Sequence, residues 1–148
     1  MKPSQRHPDP RVQRVIALFE GLTPADLPRL GDVYQTQAYF KDPFNEVQGL
    51  PAITGVFEHM FTKLDLPRFV VITIVAAGDD AFLTWDFHCH TRGMGAGDLC
   101  IRGASHLRFG PDGRVQTHRD YWDAAEELYE KLPLLGALMR WLKKRAAN

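Results

Sequence analysis

The sequence has only two cysteines in 148 residues, Cys89 and Cys100, which excludes a disulfide framework and the paired C-x-x-C spacing of a structural zinc site. Reduced thiols suit a reducing compartment, so a cytoplasmic location is expected. An excess of charge of one sign is also missing, since 18 Lys and Arg balance 18 Asp and Glu. Without a global field, no nucleic-acid partner is expected. Long apolar runs are lacking too. The longest, Phe69 to Ala77, is broken by Thr73 and falls far short of the roughly 20 residues that cross a bilayer, so no transmembrane segment is expected. Met1 to Pro10 carries Lys2, Arg6 and three prolines but no apolar stretch, and reads as a flexible polar tail rather than a secretory signal. What is present is the composition of one domain, expected over residues 11–148. Hydrophobic residues make up 45% and charged residues 24%, enough to bury a core without metal or disulfides.

Val12, Val15, Ile16 and Phe19 recur at helical spacing from Arg11, and Gly21 ends that helix. Thr23-Pro24-Ala25-Asp26 predicts a cap and a second short helix, with Leu27, Leu30, Val33 and Tyr34 on its apolar face despite Pro28. Ala38 to Lys41 predicts a brief strand stopped by Asp42-Pro43. Pro51 to Leu64 predicts a helix with Ile53, Val56, Phe57, Met60 and Phe61 inward. After Pro67 the β-formers take over in Phe69 to Val75, Ala81 to Thr91, Leu99 to Phe109 and Val115 to Trp122, separated by turn residues. Four strands joined by short turns imply an antiparallel meander with the earlier helices on one face, an α+β architecture. Asp123 with Glu126 predicts a capping box for a last helix, which Pro133 breaks in two. Its end, Leu134 to Arg145, is basic and amphipathic. Such a helix suits packing on the same chain or on a dimer mate, or contact with a membrane surface.

Alternation along Ala81 to Thr91 puts Leu83, Trp85, Phe87 and Cys89 on one face and Thr84, Asp86, His88 and His90 on the other. The first row is too apolar to leave wet, so a homodimer that buries it is expected, unless the C-terminal helix covers it. Along Val115 to Trp122 the residues His118, Asp120 and Trp122 share a face. Inside an enclosed cavity the carboxylate orients the imidazole for proton transfer near neutral pH. Facing water, the two form only a surface pair. His88-x-His90 has the spacing to ligate a metal with His118 or Asp120, but such spacing arises easily on a strand, and neither metal nor cofactor is expected. Gly93-Met94-Gly95-Ala96-Gly97 joins two strands and lacks the helix and the Lys-Ser ending of a phosphate loop, so a hairpin loop is predicted. Cys89 and Cys100 flank that loop at positions expected to face one another across the hairpin.

The order helix, helix, strand, helix, four strands resembles the nuclear transport factor 2-like superfamily, whose enzymes include ketosteroid isomerase and SnoaL-like cyclases. The residues that carry the resemblance are Val12-Gln13-Arg14, Phe40-Lys41-Asp42-Pro43-Phe44 with Gly49, Ser105-His106-Leu107-Arg108-Phe109, and Gly113-Arg114-Val115 leading to Trp122. The resemblance implies a cone-shaped curved antiparallel sheet wrapped around N-terminal helices, enclosing an apolar pocket. It implies that Asp42 matches the proton-shuttling base of ketosteroid isomerase. The tyrosine and protonated aspartate of that enzyme's oxyanion hole match Val15 and Ser105, so the usual donors are absent. Expected replacements are His118, Asp120, Asp86 and His88, with Tyr34, Phe57, Phe61, Ser105 and Trp122 completing the pocket. The expected function is acid-base chemistry of an isomerase, cyclase or hydrolase type on a small apolar molecule bearing a carbonyl or epoxide. Asp42 would move the proton, and His118 with Asp120 would polarise oxygen or protonate the product. The alternative is a non-catalytic ligand-binding or interaction module, in which Asp42 only positions the turn before Pro43.

Overall fold

Helix α1 (Pro10–Glu20) starts where the sequence supplies a cap. The Asp9 carboxylate accepts the Arg11 N–H at 2.9 Å, and Pro10 occupies the first turn, where its missing N–H costs no hydrogen bond. The computed structural model describes residues 7–92, 97–128 and 133–147, so most of the expected N-terminal tail and of the loop at Gly93 to Gly97 lies outside the described residues. Val12, Val15, Ile16 and Phe19 form the buried stripe of α1. The second helical segment, Pro24–Asp32, is a 3-10 helix with a Thr23/Asp26 capping box and Pro28 inside it. Proline has no N–H to give to an α-helical ladder and clashes with the preceding turn, so a regular α-helix does not run through Pro28. Tyr34 lies beyond this helix and opens strand β1 (Tyr34–Lys41), four residues before the expected start.

At Asp42 the chain turns back into a short strand that sequence reading missed, β2 (Glu46–Gln48), which pairs with β1 through Phe40 and Val47. Gly49 then takes φ 96°, a conformation disfavoured for side-chain-bearing residues, and leads into helix α2 (Leu50–Lys63). The strands β3 (Leu64–Ala77), β4 (Asp80–Thr91), β5 (Gly97–Phe109) and β6 (Val115–Tyr121) form the expected antiparallel meander. Together the six strands make a curved, unclosed sheet in the order β2-β1-β6-β5-β4-β3, in a cone-shaped α+β fold. The expectation of a wholly antiparallel sheet is corrected at one edge. β1 runs parallel to β6, with Phe40 beside His118, because the chain between them passes through α2 and four strands rather than a hairpin turn.

The inner face of the sheet carries Tyr34, Phe40, Leu83, Trp85, Phe87, Ile101 and Leu107 against Val12, Val15, Ile16 and Phe19 of α1 and Ile53 and Phe57 of α2. The apolar row of β4 is therefore covered by helices of its own chain, which corrects the expectation that a second copy buries it. The opposite, outer face leaves Ile72, Val75, Phe82 and Tyr121 exposed. The two cysteines do not face one another. Cys100 pairs with His88 and Cys89 with Leu99. This one-residue offset sends the two thiols to opposite sides of the sheet, and Cys89 is buried in the core. After β6, Asp123 caps the short helix α3 (Ala124–Glu127) by accepting the Glu126 N–H, and helix α4 (Pro133–Ala146) begins at the expected proline. Leu138, Trp141 and Leu142 on α4 are exposed. Among the described residues no helix is long and apolar enough to cross a membrane.

Candidate active site

Strand alternation and register assemble the site. Phe40 of β1 and Leu107 of β5 flank His118 on β6, and Ser105 flanks Asp120 two residues on. All point to the inner face. Ser105 in turn lies opposite Leu83, and Trp85 opposite Gly103. A Cβ at residue 103 would overlap the Trp85 ring, so glycine there lets the indole lie flat across β5 and reach Ser105.

A continuous chain of hydrogen bonds results. Tyr34 Oη lies 2.7 Å from His118 Nδ1, and His118 Nε2 lies 2.6 Å from Asp120 Oδ1. Ser105 Oγ donates to that same Oδ1 at 2.5 Å and accepts the Trp85 Nε1–H at 2.8 Å. Elementary donor counting orients the chain. With a carboxylate at Asp120, which only accepts, the proton between His118 and Asp120 sits on Nε2, and in the neutral imidazole Nδ1 then presents its lone pair to the Tyr34 hydroxyl. Burial pushes the Tyr34 phenol well above its ordinary pKa, and the negative Asp120 adds to that effect. Tyr34 therefore stays a hydroxyl, and to the lone pair of a neutral His118 it donates. Every donor in the network runs toward Asp120.

His118 is 2% exposed and Tyr34 fully buried, and Phe19 and Phe40 meet the imidazole edge-on at 5.5 and 4.8 Å. These rings wall the imidazole from water. Asp120 is the exception: its side chain keeps 13% exposure. Among the described residues nothing hydrogen-bonds to its second oxygen. Asp120 borders a cavity of about 350 Å³ whose walls include Phe40, Phe57, Phe69, Trp85, Phe87 and Ile101. A hollow of about 20 Å³ that shares Phe57, Phe69, Trp85 and Asp120 with this cavity reaches Ser105 and His118, enough for one water. Asp42, Asp120 and Trp122 are shared with a more open groove of about 550 Å³ that also takes in Lys41 and Arg119.

The expected site residues divide accordingly. His118, Asp120, Ser105, Phe57 and Trp122 meet at the cavity and its hollow. Tyr34 stands behind His118, and Phe61 packs against the core beside the cavity without lining it. Asp42 borders the cavity, but its carboxylate also closes a turn. It accepts the backbone N–H groups of Phe44 and Asn45 at 2.8 and 2.7 Å and the Asn45 side-chain amide at 3.1 Å. Asp86 and His88 are a correction. The apolar row of β4 took the inner face, so the alternate residues point outward, with the sheet between them and the cavity. His88 consequently cannot share a metal with His118 or Asp120. Among the described residues, the side chains able to hold a metal together are Asp86, His88 and Cys100 on that outer face. Sequence reading missed Trp85 as a polar participant. Its place in an apolar row hid the indole N–H, and the facing Gly103 was the available signal.

Comparison with known proteins supplies the context. The fold is shared with a hypothetical protein of ketosteroid isomerase-like fold from Catenulispora acidiphila, solved in complex with trimethylamine. That protein is 18% identical, with a TM-score of 0.70 over 83% of this chain and 92% of the other. TsrD from Streptomyces laurentii is 15% identical, with a TM-score of 0.72 over 89% and 99% of the two chains. A protein assigned as a SnoaL-like polyketide cyclase from a Jannaschia species is 15% identical, with a TM-score of 0.70 over 84% and 94%. No curated protein matches the sequence. The SnoaL-like domain pattern matches residues 15–118, a span that runs from α1 through the imidazole of the relay. This chain belongs to the SnoaL-like domain family.

Proposed function

We propose that the protein is an acid-base enzyme of the isomerase or cyclase type, acting on a small, largely apolar molecule that carries a carbonyl. The observation that carries this reading is the buried relay from Tyr34 through His118 to Asp120, which ends in a carboxylate on the wall of an apolar cavity. In the proposed step the second oxygen of Asp120 takes a proton from carbon beside the substrate carbonyl and returns it at another position. His118 and Ser105 hold Oδ1 throughout, so the carboxylate keeps its aim. Tyr34 fixes the imidazole tautomer, and the aromatic walls exclude bulk water. Asp42 borders the same cavity and is the second candidate for the base. The relatives assigned as SnoaL-like polyketide cyclase and isomerase support the reaction class.

The test compares Asp120→Asn with Asp42→Asn on a substrate identified by thermal-shift screening of ketones, lactones and epoxides. Asp120→Asn is expected to lower kcat at least about a hundredfold with its fold retained. If Asp42→Asn alone has that effect, the base is Asp42. If neither variant changes turnover, the acid-base reading fails. A non-catalytic binding role is favoured by one observation, the use of the Asp42 carboxylate in its turn. Ligand affinity insensitive to Asp120, His118 and Asp42, without turnover, would support that role. A second copy of the chain on the exposed Ile72, Val75, Phe82 and Tyr121 completes the proposal, and sedimentation of Phe82→Glu against the wild type checks it.

A further inference from the structure

The outer face of the sheet carries a second constellation that the cavity chemistry does not use. Asp86 and His88 lie two residues apart on β4 and so point the same way, and the register puts Cys100 of β5 directly opposite His88. One ligand atom from each, a carboxylate oxygen, an imidazole nitrogen and the thiol sulfur, lie within 4.8 Å of one another, and all three residues are half-buried. We propose that Asp86, His88 and Cys100 form a metal site selective for zinc-like divalent ions.

The donor set decides the class of metal. A thiolate with an imidazole and one carboxylate suits Zn²⁺ or Co²⁺, whereas Mg²⁺ and Ca²⁺ take oxygen ligands. The placement on two paired strands decides the geometry. Cross-strand neighbours have Cβ atoms about 4.5–5.5 Å apart, so side-chain rotation alone brings the three atoms to one ion. When the ion binds, the Cys100 thiol gives up its proton to solvent, and the thiolate becomes the ligand.

Three protein ligands leave a fourth position open, the pattern of exchangeable rather than purely structural zinc sites. His90, the next residue on that face, is paired through Nδ1 with Asp98 at 3.1 Å and does not belong to the group of three. His88 and Cys100 border a groove of about 770 Å³ that also takes in Cys89 and has Glu20, Thr23, Leu66 and Arg68 on its walls. Arg68, the partner of His88 on β3, is exposed there, so the open position favours a small anionic ligand. The sheet separates this site from the relay, and the inference stands independently of the acid-base reading.

The test is a Co²⁺ titration of the full chain, stripped with chelator and kept reduced by a non-thiol reductant. One Co²⁺ per chain is expected, with thiolate-to-cobalt charge-transfer absorption in the near ultraviolet, displaced by one equivalent of Zn²⁺. Cys100→Ser should abolish that absorption, and His88→Gln and Asp86→Asn should each weaken Zn²⁺ binding about tenfold or more. Cys89→Ser, on the other side of the sheet, should retain it and controls for non-specific thiol binding. If Cys100→Ser fails to fold by circular dichroism, the loss of affinity in His88→Gln decides. No stoichiometric binding, absorption that survives Cys100→Ser, or affinity unchanged by His88→Gln overturns the site.

Discussion

The two faces of one strand make an instructive pair. On β4 the inner row of Leu83, Trp85, Phe87 and Cys89 packs under α1 and α2, while the outer row of Thr84, Asp86, His88 and His90 looks away from the helices. On β6 the inner row instead carries His118 and Asp120 into the same apolar core. The difference lies in partners. His118 is tolerated inside because Tyr34 and Asp120 meet its two ring nitrogens, while Ser105, itself held by Trp85, shares Oδ1 of the part-exposed Asp120, and a buried polar group is costly only when it is left unpaired. Among the described residues no buried side-chain nitrogen or oxygen lacks a partner. Asp86 and His88 have no such lattice of inner partners, and their strand turns them outward. Polarity alone therefore does not say which face of a sheet is the chemical one; the hydrogen-bond partners supplied by the neighbouring strands do.

The largest effect that sharpens this comparison is the Asp120→Asn loss of turnover, set beside an outer-face control, Thr84→Val. The exposed Thr84 position should leave stability within about 0.5 kcal/mol of wild type and activity unchanged. Next, Gly103→Ala should cost about 1–3 kcal/mol, because the added methyl meets the Trp85 ring and a packed core resists such insertion. Chemical denaturation measures the cost, and indole fluorescence should report the displaced Trp85. Ser105→Ala should cost a comparable 1–3 kcal/mol, since it strands both the Trp85 N–H and one acceptor site of Asp120. A neutral result at either position would mean that the relay is looser than the hydrogen bonds indicate.

Much of this was legible beforehand. The four-strand meander, the caps at Thr23 and Asp123 and the pairing of His118 with Asp120 on one face follow from alternation and turn chemistry, which are local. Three features were not legible for a common reason: they depend on which segments meet. The parallel docking of β1 on β6 has no local signature, because periodicity names a strand and not its neighbour. The offset that separates Cys89 from Cys100 is a matter of register, invisible until His88 is seen opposite Cys100. The face that α1 and α2 cover was set by the apolar row of β4, and this choice carried Asp86 and His88 away from the cavity. Asp42 was legible as a strand-ending aspartate, and its turn bonds to Phe44 and Asn45 are what the motif Asp-Pro-Phe-Asn builds.

The smallest expected effect lies outside both faces and separates general acid sensitivity from the relay. The hydrogen bond to Arg11 lowers the Asp9 carboxyl to about 2. A carboxyl lower in the folded than in the unfolded chain adds stability above about pH 4 that is lost as pH falls toward 2. Melting temperatures between pH 5 and pH 2 should fall less steeply in Asp9→Asn than in the wild type, and parallel curves would contradict that assignment.

The relay runs its donors toward Oδ1 of Asp120, on the wall of the cavity. Histidine-selective ¹⁵N NMR of the wild-type protein at neutral pH, with His118 assigned by comparison with His118→Gln, tests this without a substrate. The expected result is an imidazole protonated at Nε2 with its lone pair on Nδ1, and an exchange-protected Nε2–H signal that shifts in Asp120→Asn. An Nδ1-protonated tautomer, or a doubly protonated ring, would contradict it.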